Sequence, residues 1–306
     1  WEANKTITKK MEELGTLLKL IFIQHSYPHC WRCHSPVIFR ATKQWFIAVD
    51  DVVGAKDLSP SIRNSALSAI DSVNWIPDWG QKRITAMVSG RPDWCISRQR
   101  SWGVPIPALH CIDCGEVYFK GDVNKWIVAL IAKEGTNAWF AKQPADYLPV
   151  DFKCKCGARN FKHDANIMDV WLESGASHHA VLTTRPQLHW PADMYLEGSD
   201  QHRGWFQSSL LTAIGAKGEA PFRSVLTHGF ICDDKGEKMS KSKGNVVDPL
   251  VVIKQTGADI LRWWVARTNF RDDVGVSPAL IQQAVDSFQK VRNTLRFLHS
   301  NLFDFS

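Results

Sequence analysis

The spacing of apolar positions changes several times along the chain, and each change predicts an element. Ile7, Met11, Leu14, Leu17 and Leu18 recur at helical spacing and predict an amphipathic helix over residues 5–20. Apolar runs at 20–23 and 37–41 read as short strands, with a Pro-led turn at 27–34 between them. Residues 58–74 read as a helix capped by Ser59 or Ser61, and helical spacing returns from Trp79 to Val88. The segment 91–103 begins apolar and strand-like and ends basic and turn-like. A polar helix is predicted near 122–134, and residues 169–175 read as a strand entering a loop. Residues 193–200 read as a strand ending in a Gly-Ser turn, followed by a helix over 203–214. The runs 224–231 and 246–253 are both apolar and strand-like. Helices are predicted over 256–268, capped by Thr256, and over 277–303, where Ser277-Pro278 is a start signal. This alternation predicts an α/β fold built on a parallel sheet.

Composition adds bounds rather than chemistry. The 306 residues can hold two domains and a substantial core, and 22% charged residues fit a globular protein. A net charge of +6 is compatible with a nucleotide or nucleic-acid partner, and equally with a plain surface excess of lysine. No apolar run has transmembrane length, and no signal or lipidation motif is present, so a cytoplasmic protein without a membrane partner is expected. The chain opens on Trp1 rather than Met, which suggests a segment of a longer protein. Fourteen tryptophans must be mostly core or pocket aromatics.

Eight cysteines without a secretory signal favour metal or free thiols over disulfides. Cys111-Ile112-Asp113-Cys114-Gly115 and Cys154-Lys155-Cys156-Gly157 are two short turns, each offering two thiolates. Together they predict a tetrahedral Zn²⁺ site with no open position, hence structural, locking a small ribbon without a core of its own. The alternative is four thiols without a metal. Cys30 and Cys33 form a third pair whose partners are expected outside the chain, because His29 and His34 are too close in sequence to complete a site. Cys95 and Cys232 read as packing residues.

Two further stretches carry candidate chemistry. In Glu197-Gly198-Ser199-Asp200-Gln201-His202-Arg203-Gly204-Trp205-Phe206 a strand ends, a glycine permits close backbone approach, and a helix begins. Ligands of doubly wound sheets lie at such strand ends. Asp200 can accept from ribose hydroxyls, Gln201 can donate or accept, and Gly198 offers a bare amide; an ordinary capped turn is the alternative. The second stretch is Lys238-Met239-Ser240-Lys241-Ser242-Lys243-Gly244-Asn245, with Lys235 before it and Gly236 and Gly244 as hinges. Lys238 and Lys241 can meet the charge that develops on the pyrophosphate of ATP when the α-phosphorus is attacked. A solvated lysine turn is the alternative.

Lys238-Met239-Ser240-Lys241-Ser242 resembles the second signature of class I aminoacyl-tRNA synthetases. The segments 197–206, 94–105, 25–32 and 226–230 are similar to those of bacterial-type isoleucyl-tRNA synthetases, and the resemblance runs over essentially the whole chain. It implies the second half of a Rossmann-type parallel sheet with a zinc-ribbon insertion and a C-terminal helical segment. The implied domains are an end of the editing insertion with its junction at 1–107, the ribbon at 108–163, the half-Rossmann domain at 164–255, and a helical junction with the start of an anticodon-binding domain at 256–306. It implies ATP-dependent activation of isoleucine, with Mg²⁺, and transfer to tRNA(Ile) by an enzyme that is a monomer when complete. By position, Gly198, Asp200 and Gln201 would hold the ribose, and Glu197 would lie beside the adenylate. His228, Phe230 and the Met239 backbone would lie near the adenine, and Trp171 and Trp205 would wall the isoleucine side chain. Leu172 and Glu173 depart from the family pattern. The first signature, His-Ile-Gly-His, does not occur in these residues, so the chain is expected to depend on the remainder of a synthetase and to be inactive or nearly so alone. The rivals are a zinc-ribbon nucleic-acid-binding module and valyl or leucyl specificity. For Arg98, Gln99 and Arg100 two roles stand open, contact with a tRNA acceptor end and internal salt bridges.

Overall fold

A computed structural model describes residues 2–30, 33–50, 61–240, 244–302 and 304–305. The chain forms two compact units, residues 1–43 and 44–306.

In the first unit a helix spans Glu2–Glu13 and buries none of its residues. It stops short of residue 20 because Gly15 takes a left-handed φ of 65° and its amide turns back to the Glu12 carbonyl. Among the described residues, 20–23 and 37–41 form no strand. Ile21, Phe22, Ile23, Ile38 and Phe39 are exposed, and an apolar run without a hydrogen-bonding neighbour has no ladder to join. The turn between them closes through the Cys30 amide on the Ser35 carbonyl and the His34 amide on the Cys30 carbonyl.

The second unit is built on a three-stranded parallel sheet in the order Asn74–Ile76, Phe222–His228, Ala192–Gly198. Its strands are short and joined by helices, the arrangement the strand–helix alternation predicts. Helices Ile62–Ile70, Trp79–Ser89 and Trp205–Lys217 cover the sheet, and Ile70, Trp75, Ile84, Phe206, Leu210 and Val225 form the core. The Ser61 hydroxyl accepts from the Asn64 amide and starts the first of these helices; Ser59 lies outside the described residues. In Trp205–Lys217 the buried set from Phe206 to Ile214 includes Gln207, Ser208 and Ser209, so this helix is itself covered on its outer side.

Three readings from the pattern need correction. Residues 169–175 are a helix, Val170–Gly175, because the Asp169 carboxylate accepts from the Trp171 amide and caps it. Most of 246–253 is also helical: Asp248 caps Pro249–Thr256 by accepting from the Leu250 amide, an Asp-Pro start that outweighs the β-branched run. Thr256 caps nothing, since its hydroxyl bonds back to the Val252 carbonyl and Gly257 separates it from the next helix, Ala258–Arg267. The last segment is one helix, Pro278–Ser300, with Ser277 accepting from the Leu280 amide.

The cysteine ribbon is a three-stranded antiparallel sheet in the order Val117–Tyr118, Leu109–Cys111, Phe161–His163. Contrary to expectation, it has a core of its own: Leu109, Val123, Ile127, Trp139 and Phe161 pack together, closed by helix Asp122–Glu134. Among the described residues no helix is long and apolar enough to cross a membrane.

Candidate functional site

The parallel register sets His228 opposite Gly198, so both strands end at one edge of the sheet. A Cβ on Gly198 would stand 3.1 Å from Asp200 Oδ1, 3.4 Å from the Phe230 ring and 3.6 Å from the His228 ring. These four residues therefore converge, and the missing side chain at Gly198 leaves a bare backbone floor. Glu197 is exposed on the same strand. The single 3₁₀ turn Ser199–His202 carries Asp200 and Gln201. The Gln201 side-chain oxygen accepts from the Trp205 amide at 2.9 Å and so supports the start of the following helix.

The lysine loop folds back onto this edge. Lys238 Nζ stands 3.7 Å from Asp200 Oδ2 and 3.6 Å above the centre of the Phe230 ring. Asp233 organises the loop, accepting from the Lys235 and Glu237 amides and from Asn245 Nδ2; the Asn245 bond first of all holds its carboxyl below the usual carboxylate range. Asn245 in turn accepts from the Ser240 amide. The Met239 amide bonds the Ile231 carbonyl, and its side chain packs on the cluster of Val252, Ile260 and Ile281. Lys241, with Ser242 and Lys243, lies outside the described residues. Pattern reading did not single out Asp233 or Asn245, although carboxylates and amides flanking a glycine turn are the usual organisers of such loops.

The Trp171 ring packs on the backbone of Gly204, the residue before Trp205. A Cβ on Gly204 would stand 2.8 Å from the Trp171 ring, so only glycine leaves the ring its place. The Trp205 indole stacks on Tyr195 at 3.9 Å and donates to the Ser174 carbonyl and the Ser177 hydroxyl. Arg98 is spent internally, on Asp169 at 2.9 Å and on the Cys95 and Ser97 carbonyls. Gln99 donates to Gln44 and Asn166, and Arg100 is exposed.

The Sγ atoms of Cys111, Cys114, Cys154 and Cys156 all lie within 4.8 Å of one another. Cys111–Cys156 and Cys114–Cys154 are 3.7 and 3.4 Å apart. Zn–S bonds of about 2.3 Å in a tetrahedron need sulfurs about 3.8 Å apart, so the set fits Zn²⁺. The Tyr118 hydroxyl donates to Cys154 Sγ and, as the largest influence, draws its thiol down to about 6, a thiolate at neutral pH. Gly115 and Gly157 take φ of 75° and 88°, which folds each knuckle. Cys30 is half-buried and Cys33 exposed, and neither joins a group of three or more candidate ligands among the described residues. Cys232 is buried and Cys95 partly so.

The family of tRNA synthetases class I (I, L, M and V) matches residues 3–277. Isoleucine–tRNA ligases of Moorella thermoacetica and Syntrophomonas wolfei are each 52% identical over 305 residues, 99% of this chain and 32% of theirs. That of Kosmotoga olearia is 52% identical over 307 residues. The chain thus spans about a third of the length of the curated relatives it matches (32%). Among solved structures, Mycobacterium tuberculosis methionyl-tRNA synthetase bound by methionyl-adenylate shares the fold, with a TM-score of 0.53 and 18% identity over 85% of this chain and 40% of that one. A parallel sheet with a lysine signature folded onto its carboxyl edge and a family match over nearly the whole length lead to one conclusion: this chain belongs to the class I tRNA synthetases of the I, L, M and V group.

Proposed function

We propose that these residues supply the second half of the adenylate-forming site of an isoleucine–tRNA ligase. The observation that carries the reading is the reach of Lys238 to Asp200 across the edge formed by Gly198, His228 and Phe230. The 52% identity to isoleucine–tRNA ligases supports isoleucine as the amino acid.

In this reading the isoleucine carboxylate attacks the α-phosphorus of ATP, the α–β bridging P–O bond breaks, and pyrophosphate leaves. A ribose hydroxyl of the tRNA(Ile) 3′ end then attacks the adenylate carbonyl and AMP leaves. Asp200 accepts from the ATP ribose hydroxyls, beside the bare amide of Gly198. Gln201 holds the ribose with them, and His228, Phe230 and the Met239 backbone flank the adenine. Glu197 lies beside the adenylate. Trp171 and Trp205 wall the isoleucine side chain with rigid apolar surface. Lys238, with Lys241, meets charge as it develops on the pyrophosphate, which Mg²⁺ also neutralises. In the free chain Lys238 rests on Asp200, so ATP must displace one cationic contact and replace it with a stronger one.

Cys111, Cys114, Cys154 and Cys156 would hold a Zn²⁺ that supplies structural cross-linking and no open coordination position. Residues 1–107 are assigned to the end of the editing insertion and its junction, 108–163 to the ribbon, 164–255 to the catalytic half-domain, and 256–306 to the junction toward an anticodon-binding domain. The complete enzyme is a cytoplasmic monomer.

The test uses a chain of the relatives' full length carrying these residues. A charge-assisted bond contributes about 1.5–3 kcal/mol, so Lys238→Ala lowers isoleucine-dependent ATP–pyrophosphate exchange by about 10- to 150-fold. Unchanged exchange in that variant, or exchange driven better by valine or leucine than by isoleucine, overturns the reading.

A further inference from the structure

Asp169 is 4% exposed, and its carboxylate ties the distant segment 94–98 to the helix that begins at residue 170. Oδ2 accepts from Arg98 Nη2 at 2.9 Å and from the Trp94 indole at 3.1 Å. Oδ1 accepts from the Trp171 amide at 3.2 Å. Its own amide donates to the Ile96 carbonyl at 2.7 Å. The two strands that carry these partners are themselves tied down, Ser97–Arg98 by pairing with Ile167–Met168 and Trp94–Cys95 with Phe46–Ile47.

The helix that Asp169 caps has six residues, Val170–Gly175, and its other end is clamped as well. The Ser174 carbonyl takes the Trp205 indole, the Gly175 carbonyl takes the Thr212 hydroxyl, and a Cβ on Gly175 would stand 2.8 Å from the Ser208 backbone. The far end thus fixes this helix to Trp205. The near end, where Trp171 sits, is held by Asp169. Trp171 itself is 42% exposed, so packing alone does not immobilise its indole.

We propose that Asp169 is a positioning residue that holds Trp171 in its seat against Gly204 and thereby sets the preference for isoleucine over valine in the activation step. The inference rests on the functional reading above. The physical reason is the small size of the signal: one methylene in an apolar pocket discriminates by only about 10- to 200-fold. A wall free to collapse onto the smaller ligand recovers contacts that the missing methylene loses, and the discrimination falls. A short capped helix held at both ends prevents that collapse. Gly198, Asp200 and His228 sit on other strands and the following turn, and only Gln201 among the adenosine-side residues packs beside the Trp171 ring at Gly204, so loosening Trp171 should act on isoleucine far more than on ATP.

The experiment measures KM for isoleucine, valine and ATP by pyrophosphate exchange in the full-length protein, for Asp169→Ala, Asp169→Asn and Arg98→Gln. Asp169→Ala removes the cap and both anchors, and a raised isoleucine KM of about tenfold is expected, with ATP KM within about twofold and isoleucine-over-valine preference reduced severalfold. Asp169→Asn keeps the shape and the capping oxygen, so it restores most of the selectivity. Arg98→Gln, which leaves the cap intact and loosens its anchor, falls between them and tests the idea should Asp169→Ala fail to fold. Equal changes in the isoleucine and ATP constants, or an unchanged isoleucine-to-valine ratio in all three variants, overturn the proposal while the functional reading stands. A parent protein with no isoleucine-dependent exchange overturns that reading, and this inference with it.

Discussion

His178 shows how much one side chain can be decided by its neighbours. It is 2% exposed, and the Trp190 indole, which can only donate, points at its Nδ1 from 3.0 Å. That bond requires an unprotonated Nδ1, so the ring is the neutral tautomer whose Nε2–H donates to the Thr212 hydroxyl. Burial chiefly, with His179 and Lys217 nearby, pushes its pKa down to about 4. An unfolded histidine titrates near 6.5, so between about 6.5 and 4 the unfolded chain binds the extra proton. This contribution to stability is intact above about pH 6.5 and is lost as pH falls toward 4, up to roughly 3 kcal/mol. Thermal midpoints measured across that window should fall less steeply for His178→Gln than for the parent. An equal slope would show that other groups govern the acid limb. Gly229 is the second residue whose identity the surroundings dictate. Its amide bonds the Phe270 carbonyl, and a Cβ there would fall on the backbone of Asp272 and Asp273. The adjoining Phe230 amide donates to Asp273 Oδ1 at 2.7 Å, so the strand end is pressed against this segment. Gly229→Ala should cost about 1–3 kcal/mol in denaturant unfolding, the usual size of an overpacking penalty. The shift it forces on His228 and Phe230 should raise the ATP KM.

At the scale of elements, the ribbon at 108–163 illustrates two sources of stability acting together. The cysteine knuckles bring four sulfurs to one point, while Leu109, Ile127, Trp139 and Phe161 pack behind them. Stripping the metal should therefore loosen the knuckles and lower the unfolding temperature without erasing the helix Asp122–Glu134, because that helix is held by apolar contacts as well as by the cross-link. Elemental analysis should find one zinc per chain, lost in Cys154→Ser. Full zinc content in that variant would refute the ligand set. The other elements divide by the kind of signal that starts them. Ser61 and Ser277 start helices that the pattern predicts, since a capping hydroxyl precedes a clear helical period. Asp169 and Asp248 start helices where the apolar run alone suggests a strand, and in both the short cap outranks the composition that follows it.

At the scale of the whole molecule, residues 1–43 and 44–306 form separate compact units. The helix Glu2–Glu13 buries nothing, whereas the larger unit contains the parallel sheet and its core. Much of the architecture was legible from the chain: the strand–helix alternation, each of the two cysteine turns and the glycine-bounded lysine loop all depend on residues a few positions apart. The pairing of Arg98 with Asp169, the seat of Trp171 against Gly204 and the ribbon's own core were not legible. Trp94 and Asp169 are 75 residues apart, and no local rule joins them.

The amino-acid sequence by itself determined which chemistry is available: thiolates in two tight turns, a glycine-ended strand carrying Asp200, and a lysine-dense signature loop. Caps, turns and periodicity are short-range physics, so they can be read in the order they are written. Only the tertiary structure decided what meets what. It folded Lys238 over Phe230 and onto Asp200, committed Arg98 to a buried carboxylate instead of an exposed surface, and gave Gln201 to the start of a helix. The reason is that a polar side chain's partner is set by the need to satisfy it wherever burial leaves it, and burial is a property of the whole fold.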